Sequence, residues 1–163
     1  MSDPFSFLVP RRSFALRGAS LVLAACGAKP ILAPKPKVLT IDVLAAANLN
    51  PSASGRPSPV VVRIYELKAA APFESADFIM LFDKDQATLG AELVQREEML
   101  LRPGETKKLG MTLPADAKAI AVLAAYRDLE RARWREVRAV EPGKPLTLTV
   151  NFGARQIRIE AAK

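Results

Sequence analysis

The sequence predicts an all-β domain, a sandwich or barrel of about eight short strands with a small helical insertion. Three observations carry that expectation. Apolar residues recur with period two in segment after segment from residue 38 onward. Clusters of Gly, Pro and Asp punctuate those segments at regular spacing. The period lengthens to that of a helix in one place only, between residues 73 and 90. A chain of 163 residues suits one folded domain and can bury a core without disulfide staples.

Residues 1–25 read as a cleavable export signal. Arg11-Arg12-Ser13-Phe14-Ala15-Leu16-Arg17 is positive and free of acids, and Gly18-Ala19-Ser20-Leu21-Val22-Leu23-Ala24-Ala25 is apolar and small. That run is too short to span a bilayer, which takes about 20 residues of helix. Leu23-Ala24-Ala25-Cys26 looks like a lipobox. Leu23 stands three before the Cys, Ala24 and Ala25 are slim enough for a peptidase cleft, and Cys26 supplies the thiol that takes diacylglycerol. The competing reading is a buried structural Cys after an amphipathic helix; it leaves the Arg cluster, the apolar run and their spacing without a common cause. Arg11-Arg12-Ser13-Phe14 also resembles a twin-arginine export signal, although a chance pair in a basic leader accounts for it. Gly27 stands where an Asp retains enterobacterial lipoproteins at the inner membrane, which points to the outer membrane.

Residues 26–37 follow as the acylated Cys and a Pro-rich linker, with Pro30, Pro34 and Pro36 keeping it extended at about 3.1 Å per residue. It would hold the domain of residues 38–163 roughly 30 Å from a membrane surface. In the first strand Leu39, Ile41 and Val43 alternate with Thr40 and Asp42. Asn50-Pro51-Ser52-Ala53-Ser54-Gly55-Arg56-Pro57-Ser58-Pro59 is dense in turn formers and reads as a loop, after which Val60, Val62 and Ile64 begin a second strand. The helical stretch starts near Phe73, with Ser75 as N-cap and Asp77 in the first turn. Phe78, Ile79 and Phe82 share its apolar face, with Met80 and Leu81 widening it, and a further turn over 85–90 stops at Gly90. Period two then returns over 92–101, 105–113, 118–126, 133–140, 145–152 and 155–161. Residues 120–125 are apolar at every position and so predict a central strand; the poor alternation around Trp134 predicts a bulge.

Composition narrows the chemistry. With one Cys and no His, neither a zinc cluster nor a Ser/His/Asp triad can be built. Asp83-Lys84-Asp85 begins like a calcium loop, but Ala87, Thr88 and Val94 stand where an oxygen ligand, a Gly and a Glu are needed. Glu97 and Glu98 are adjacent in a strand and point to opposite faces, so they cannot act as a carboxylate pair; with Glu130 they read as solvated charges. Residues 128–133 read as an exposed charged connection. No metal, cofactor or catalytic residue is expected, and the covalent lipid on Cys26 is the only group the chain calls for. The net charge of +7 includes three Arg against one Asp in the leader, so the processed chain keeps +5. Few aromatics, 6%, and no basic–aromatic interleaving argue against nucleic acid. Ten residues make a long link between neighbouring strands, since hairpin connections take about 2–5, and long loops on rigid scaffolds often carry binding.

Taken together, the loop 50–59, Val60-Val61-Val62-Arg63-Ile64-Tyr65-Glu66-Leu67, Phe73-Glu74-Ser75-Ala76-Asp77-Phe78, Leu81-Phe82-Asp83-Lys84-Asp85, Arg102-Pro103-Gly104-Glu105, Ala125-Tyr126-Arg127-Asp128 and Trp134-Arg135 resemble the TssJ family of type VI secretion lipoproteins. The resemblance implies a two-sheet, transthyretin-like β-sandwich with a small helical insertion, held by acyl chains in the periplasmic leaflet of the outer membrane. It implies docking of the periplasmic C-terminal domain of TssM, in a complex that also contains TssL, through the loop Asn50 to Pro59. No small-molecule substrate follows from it. The rival reading, a periplasmic carbohydrate- or peptidoglycan-binding lipoprotein, needs exposed aromatics along a groove, and the chain has one Trp and two Tyr.

Overall fold

The computed structural model describes residues 37–141 and 146–162. The expected export signal, the expected lipobox Leu23, Ala24 and Ala25, the expected lipid site Cys26 and the expected linker to residue 36 lie outside the described residues, as does most of the turn expected at 141–144. Eight strands form: β1 (Lys37–Ala45), β2 (Val60–Leu67), β3 (Leu93–Leu101), β4 (Thr106–Leu113), β5 (Ala119–Ala124), β6 (Arg135–Ala139), β7 (Leu146–Phe152) and β8 (Ile157–Ala161). They make two four-stranded sheets, ordered β4-β1-β7-β8 and β3-β2-β5-β6, so the architecture is a sandwich and not a barrel. β1 and β7 run parallel; every other pair is antiparallel.

The period-two pattern becomes the core directly. Leu39, Ile41 and Val43 of β1, Val60, Val62 and Ile64 of β2, and Leu148, Val150 and Phe152 of β7 point between the sheets and are buried. β1 and β2 are not hairpin neighbours, contrary to the sequence-based expectation. They lie in opposite sheets, and the long loop is the crossover that carries the chain over the end of the sandwich. All six residues of β5 are buried, because a helical layer covers the outer face of its sheet.

That layer is two helices, α1 (Ala71–Ser75) and α2 (Phe78–Leu89), rather than one helix capped by Ser75. Ser75 ends α1, and the extended Asp77 starts α2. Leu81 and Leu89 are buried with Tyr65, Leu67, Phe73 and Leu123. Of the expected apolar face, Leu81 is thus buried and Phe78 and Phe82 pack half-buried against the same cluster, but Ile79, 64% exposed, and Met80 face solvent. A buried polar group shares the inward face. Asp85 faces the sheet one turn beyond Leu81 and meets Arg96 at 2.5 Å and Arg63 at 3.6 Å. Arg63 in turn donates to Glu98 Oε2 and to the Phe82 carbonyl, each at 2.5 Å, and its guanidinium lies 4.5 Å from the Phe82 ring centre. A buried carboxylate is tolerable only when paired in this way. A kink at Lys84 and the positive φ of Gly90 match the extra turn and its stop.

Trp134 stands just before β6 and packs edge-on against Phe78, with ring centres 5.3 Å apart. The expected bulge at Trp134 is absent; the register shifts instead between Glu66 and Leu67. Alternation is weak in β6 because its residues are half-buried on both faces. Cations seal the two open sides of the sandwich. Lys107 Nζ donates to the Leu100 carbonyl at 3.1 Å, and Arg138 donates to the Ile159 carbonyl at 3.3 Å, each joining one sheet's edge to the other's.

Glu66 breaks the apolar pattern of β2. It follows Ile64 on the inward face, is fully buried, and has no hydrogen-bond partner for either carboxylate oxygen. Burial, reinforced by Glu97, pushes its pKa up from 4.5 to about 7. The folded state therefore holds the proton to higher pH than the unfolded chain does. This contribution to stability is fully present below about pH 4.5, falls as pH rises, and is gone above about pH 7. Its full span is about 3 kcal/mol. Glu66→Gln removes it. Urea unfolding of both proteins across this range should show wild type losing ground to the variant by that amount; a constant difference would refute the assignment.

Candidate functional site

The connection between β1 and β2 is a braced structure from its first residue. Asn50 is buried and adopts a positive φ of 47°, a conformation that Asn tolerates better than most residues. Its three polar groups reach three different segments. The side-chain amide donates to the Pro59 carbonyl at 2.8 Å, closing the loop on itself. Its Oδ1 accepts the Arg127 N–H at 2.9 Å, tying in the connection between β5 and β6. Its backbone N–H donates to the Ala154 carbonyl at 3.2 Å, tying in the turn between β7 and β8. Ser58 is buried as well, and its N–H donates to the Leu49 carbonyl at 3.0 Å.

The tip is closed by its own bonds. Ser52 N–H donates to the Arg56 carbonyl and Gly55 N–H to the Ser52 carbonyl, both at 2.9 Å. The Ser52 hydroxyl accepts the Arg56 N–H at 3.2 Å and lies 2.9 Å from the Ser54 hydroxyl. Gly55 has φ +81°, where a Cβ would be strained. Of the loop expected from the sequence, Asn50 and Ser58 thus turn inward as braces, and Pro51 and Ser52 are half-buried. Ala53, Ser54, Gly55, Arg56, Pro57 and Pro59 are presented to solvent.

Two shallow, polar grooves of about 560 Å³ and 460 Å³ flank the loop, and Arg127 lines both. The sequence reading passed over this neighbourhood, because residues 127–131 and 155 are far from the loop along the chain. Tyr126 anchors the second segment: it is buried, and its hydroxyl reaches the Gln156 carbonyl at 2.9 Å and the Gly153 carbonyl at 3.2 Å. Burial raises its pKa, so the hydroxyl stays a donor. Asp128 pairs with Arg155 at 3.1 Å and with Arg131 at 4.0 Å. The loop, the β5–β6 connection and the β7–β8 turn therefore form one end surface with fixed backbone. Among the described residues no His, Cys, Asp and Glu gather in a group able to hold a metal ion.

The fold defines a β-sandwich module that offers one braced loop at its end. The comparisons with known proteins say which. The family model for type VI secretion lipoproteins (T6SS-SciN; VasD, EvfM, TssJ) matches residues 37–155, and the chain belongs to that family. It is similar to the crystal structure of the lipoprotein TssJ1 from Pseudomonas aeruginosa, with a TM-score of 0.77 at 43% identity over 79% of this chain and 98% of that one. Serratia marcescens Lip, a membrane-bound component of the type VI secretion system, gives 0.70 at 27% identity over 79% and 98%. A chain of the structure described as the T6SS protein TssM C-terminal domain (869–1107) from EAEC gives 0.64 at 30% identity over 77% and 99%. A search of curated proteins returned no match.

Asn50→Ala should destabilise the protein by about 2–4 kcal/mol, since it strands the Arg127 N–H and the Pro59 carbonyl and leaves a positive φ on a residue with a Cβ. Asn50→Gly relieves the backbone but not the two bonds and should recover only the smaller part. Thermal melts of the two variants, with limited proteolysis at the loop, check the order; equal stability of wild type and Asn50→Gly would refute the brace.

Proposed function

We propose that the protein is an acylated periplasmic lipoprotein of the outer membrane that docks the periplasmic C-terminal domain of TssM through the loop 50–59, within a complex that also contains TssL, and that it catalyses no reaction. One observation carries this reading. β1 begins at Lys37, the end that continues the chain from Cys26, and the braced loop leaves the opposite end of the same strand. A strand that the chain enters at one end and a braced loop presented at the other suit a protein tethered through its preceding segment and docked through that loop. The match to a chain solved under the description of the TssM domain supports the choice of partner. Since 77% of this chain covers 99% of it, that chain is about as long as this sandwich and shorter than residues 869–1107.

The glycan-binding alternative loses support from burial. Tyr65 and Tyr126 are buried, and Trp134 is half-buried against Phe78, so none of them can serve as an exposed stacking platform.

Deletion of Ser52–Arg56 from the full-length protein should abolish binding to the purified TssM domain while the protein still melts cooperatively; unchanged affinity by biolayer interferometry would move the interface elsewhere. Cys26→Ser should shift the protein out of the outer-membrane fraction and stop type VI secretion. Normal fractionation and secretion by that variant would sink the anchoring claim.

A further inference from the structure

We infer that the docking face is composite: Arg127 of the β5–β6 connection stands with Arg56 of the loop as a cationic seat for an acidic segment of the partner. This rests on the reading that the loop docks TssM, and adds both a second element and the chemistry of what it receives.

Charge accounting around the two grooves gives the argument. Arg56, Arg127, Arg131 and Arg155 line them, against Asp128 and Glu130. Asp128 is held between Arg155 and Arg131. Arg56 and Arg127 are exposed, and neither side chain has an ion pair or hydrogen bond among the described residues. Glu130 is the one carboxylate there without an ion pair. The surface therefore carries two free guanidinium groups and one free acid, a net positive seat.

Position separates Arg127 from an ordinary surface Arg. Its backbone N–H is fixed by Asn50 Oδ1 at 2.9 Å, the same residue that closes the loop, so Arg127 and the loop keep a constant relation. It lines the grooves on both flanks of the loop, so a segment lying along either flank meets it. A guanidinium fork matches a carboxylate in two parallel bonds, and pre-positioned backbone reduces the ordering cost of binding. The grooves are polar and lack exposed aromatics, which disfavours an apolar helix or a glycan. With the loop between these grooves docking TssM, the acid the seat receives is a carboxylate-bearing protein segment.

The test uses the full-length protein in detergent and the purified TssM periplasmic C-terminal domain. Arg127→Glu should weaken binding by about tenfold or more, mainly through slower association, and flatten its dependence on salt. Arg127→Lys, which keeps the charge and loses the fork, should weaken binding by less than Arg127→Glu does, and Glu130→Gln should tighten it by about two- to threefold. Unchanged melting temperatures keep misfolding out of the comparison. If Arg127→Glu binds within about twofold of wild type while deletion of Ser52–Arg56 abolishes binding, the composite face is wrong and the loop reading stands. If neither change matters, the loop reading falls with it. Phosphatidylglycerol vesicles serve as a control: capture of wild type by vesicles that Arg127→Glu loses, with TssM affinity unchanged, would assign the seat to lipid and overturn the proposal.

Discussion

The chain must pass from one sheet to the other at the end of β1, and there its backbone leaves the ladder that satisfied it. Asn50 resolves this with its side chain and its own backbone N–H. An amide supplies a donor and an acceptor on one short stem, and Asn also accepts a positive φ. Asp lacks the donor, Gly lacks both groups, and Gln would place them one carbon further out. The hydrogen bonds to Pro59, Arg127 and Ala154 turn three loops into one surface. Everything proposed about recognition depends on that surface keeping its shape.

The two sheets are treated differently by the rest of the fold. The sheet containing β2 and β5 is covered by α1 and α2, which gives it a second apolar layer and makes β5 the most buried strand. The charges that might have been expected to float on β2 and β3 are drawn into that layer. Arg63 and Arg96 neutralise Asp85, and Glu98 completes the set on the more exposed side. The sheet containing β1 and β7 keeps a polar outer face, with Thr40, Asp42 and Thr149 half-buried.

The strands were legible because each sheet has one face on a common core, so burial writes itself into period two. Leu39, Ile41 and Val43, and later Leu148, Val150 and Phe152, could be assigned a face from the sequence alone. The helix face was legible only in part: Phe78, Leu81 and Phe82 lie toward the sheet as expected, but Ile79 and Met80 face out, and Asp85 takes a buried place paired with Arg96. Periodicity counts hydrophobicity and cannot weigh a buried ion pair. Strand pairing was also hidden, since a long loop between two strands does not say whether they share a sheet. Of the candidate site, the loop 50–59 could be located by its turn formers. The nearness of Arg127 and Arg155 could not, because only the fold brings residues 50, 127 and 154 together.

β1 has a further consequence through its place in the sheet. It is an interior strand, bonded to β4 on one side and to β7 on the other over nearly its whole length. A load applied between Lys37 and the far end of β1 would draw along the strand's own axis. The ladder bonds on both sides are then strained together, in shear, rather than peeled one at a time as at a sheet edge. A domain loaded along that axis yields only when many bonds fail at once.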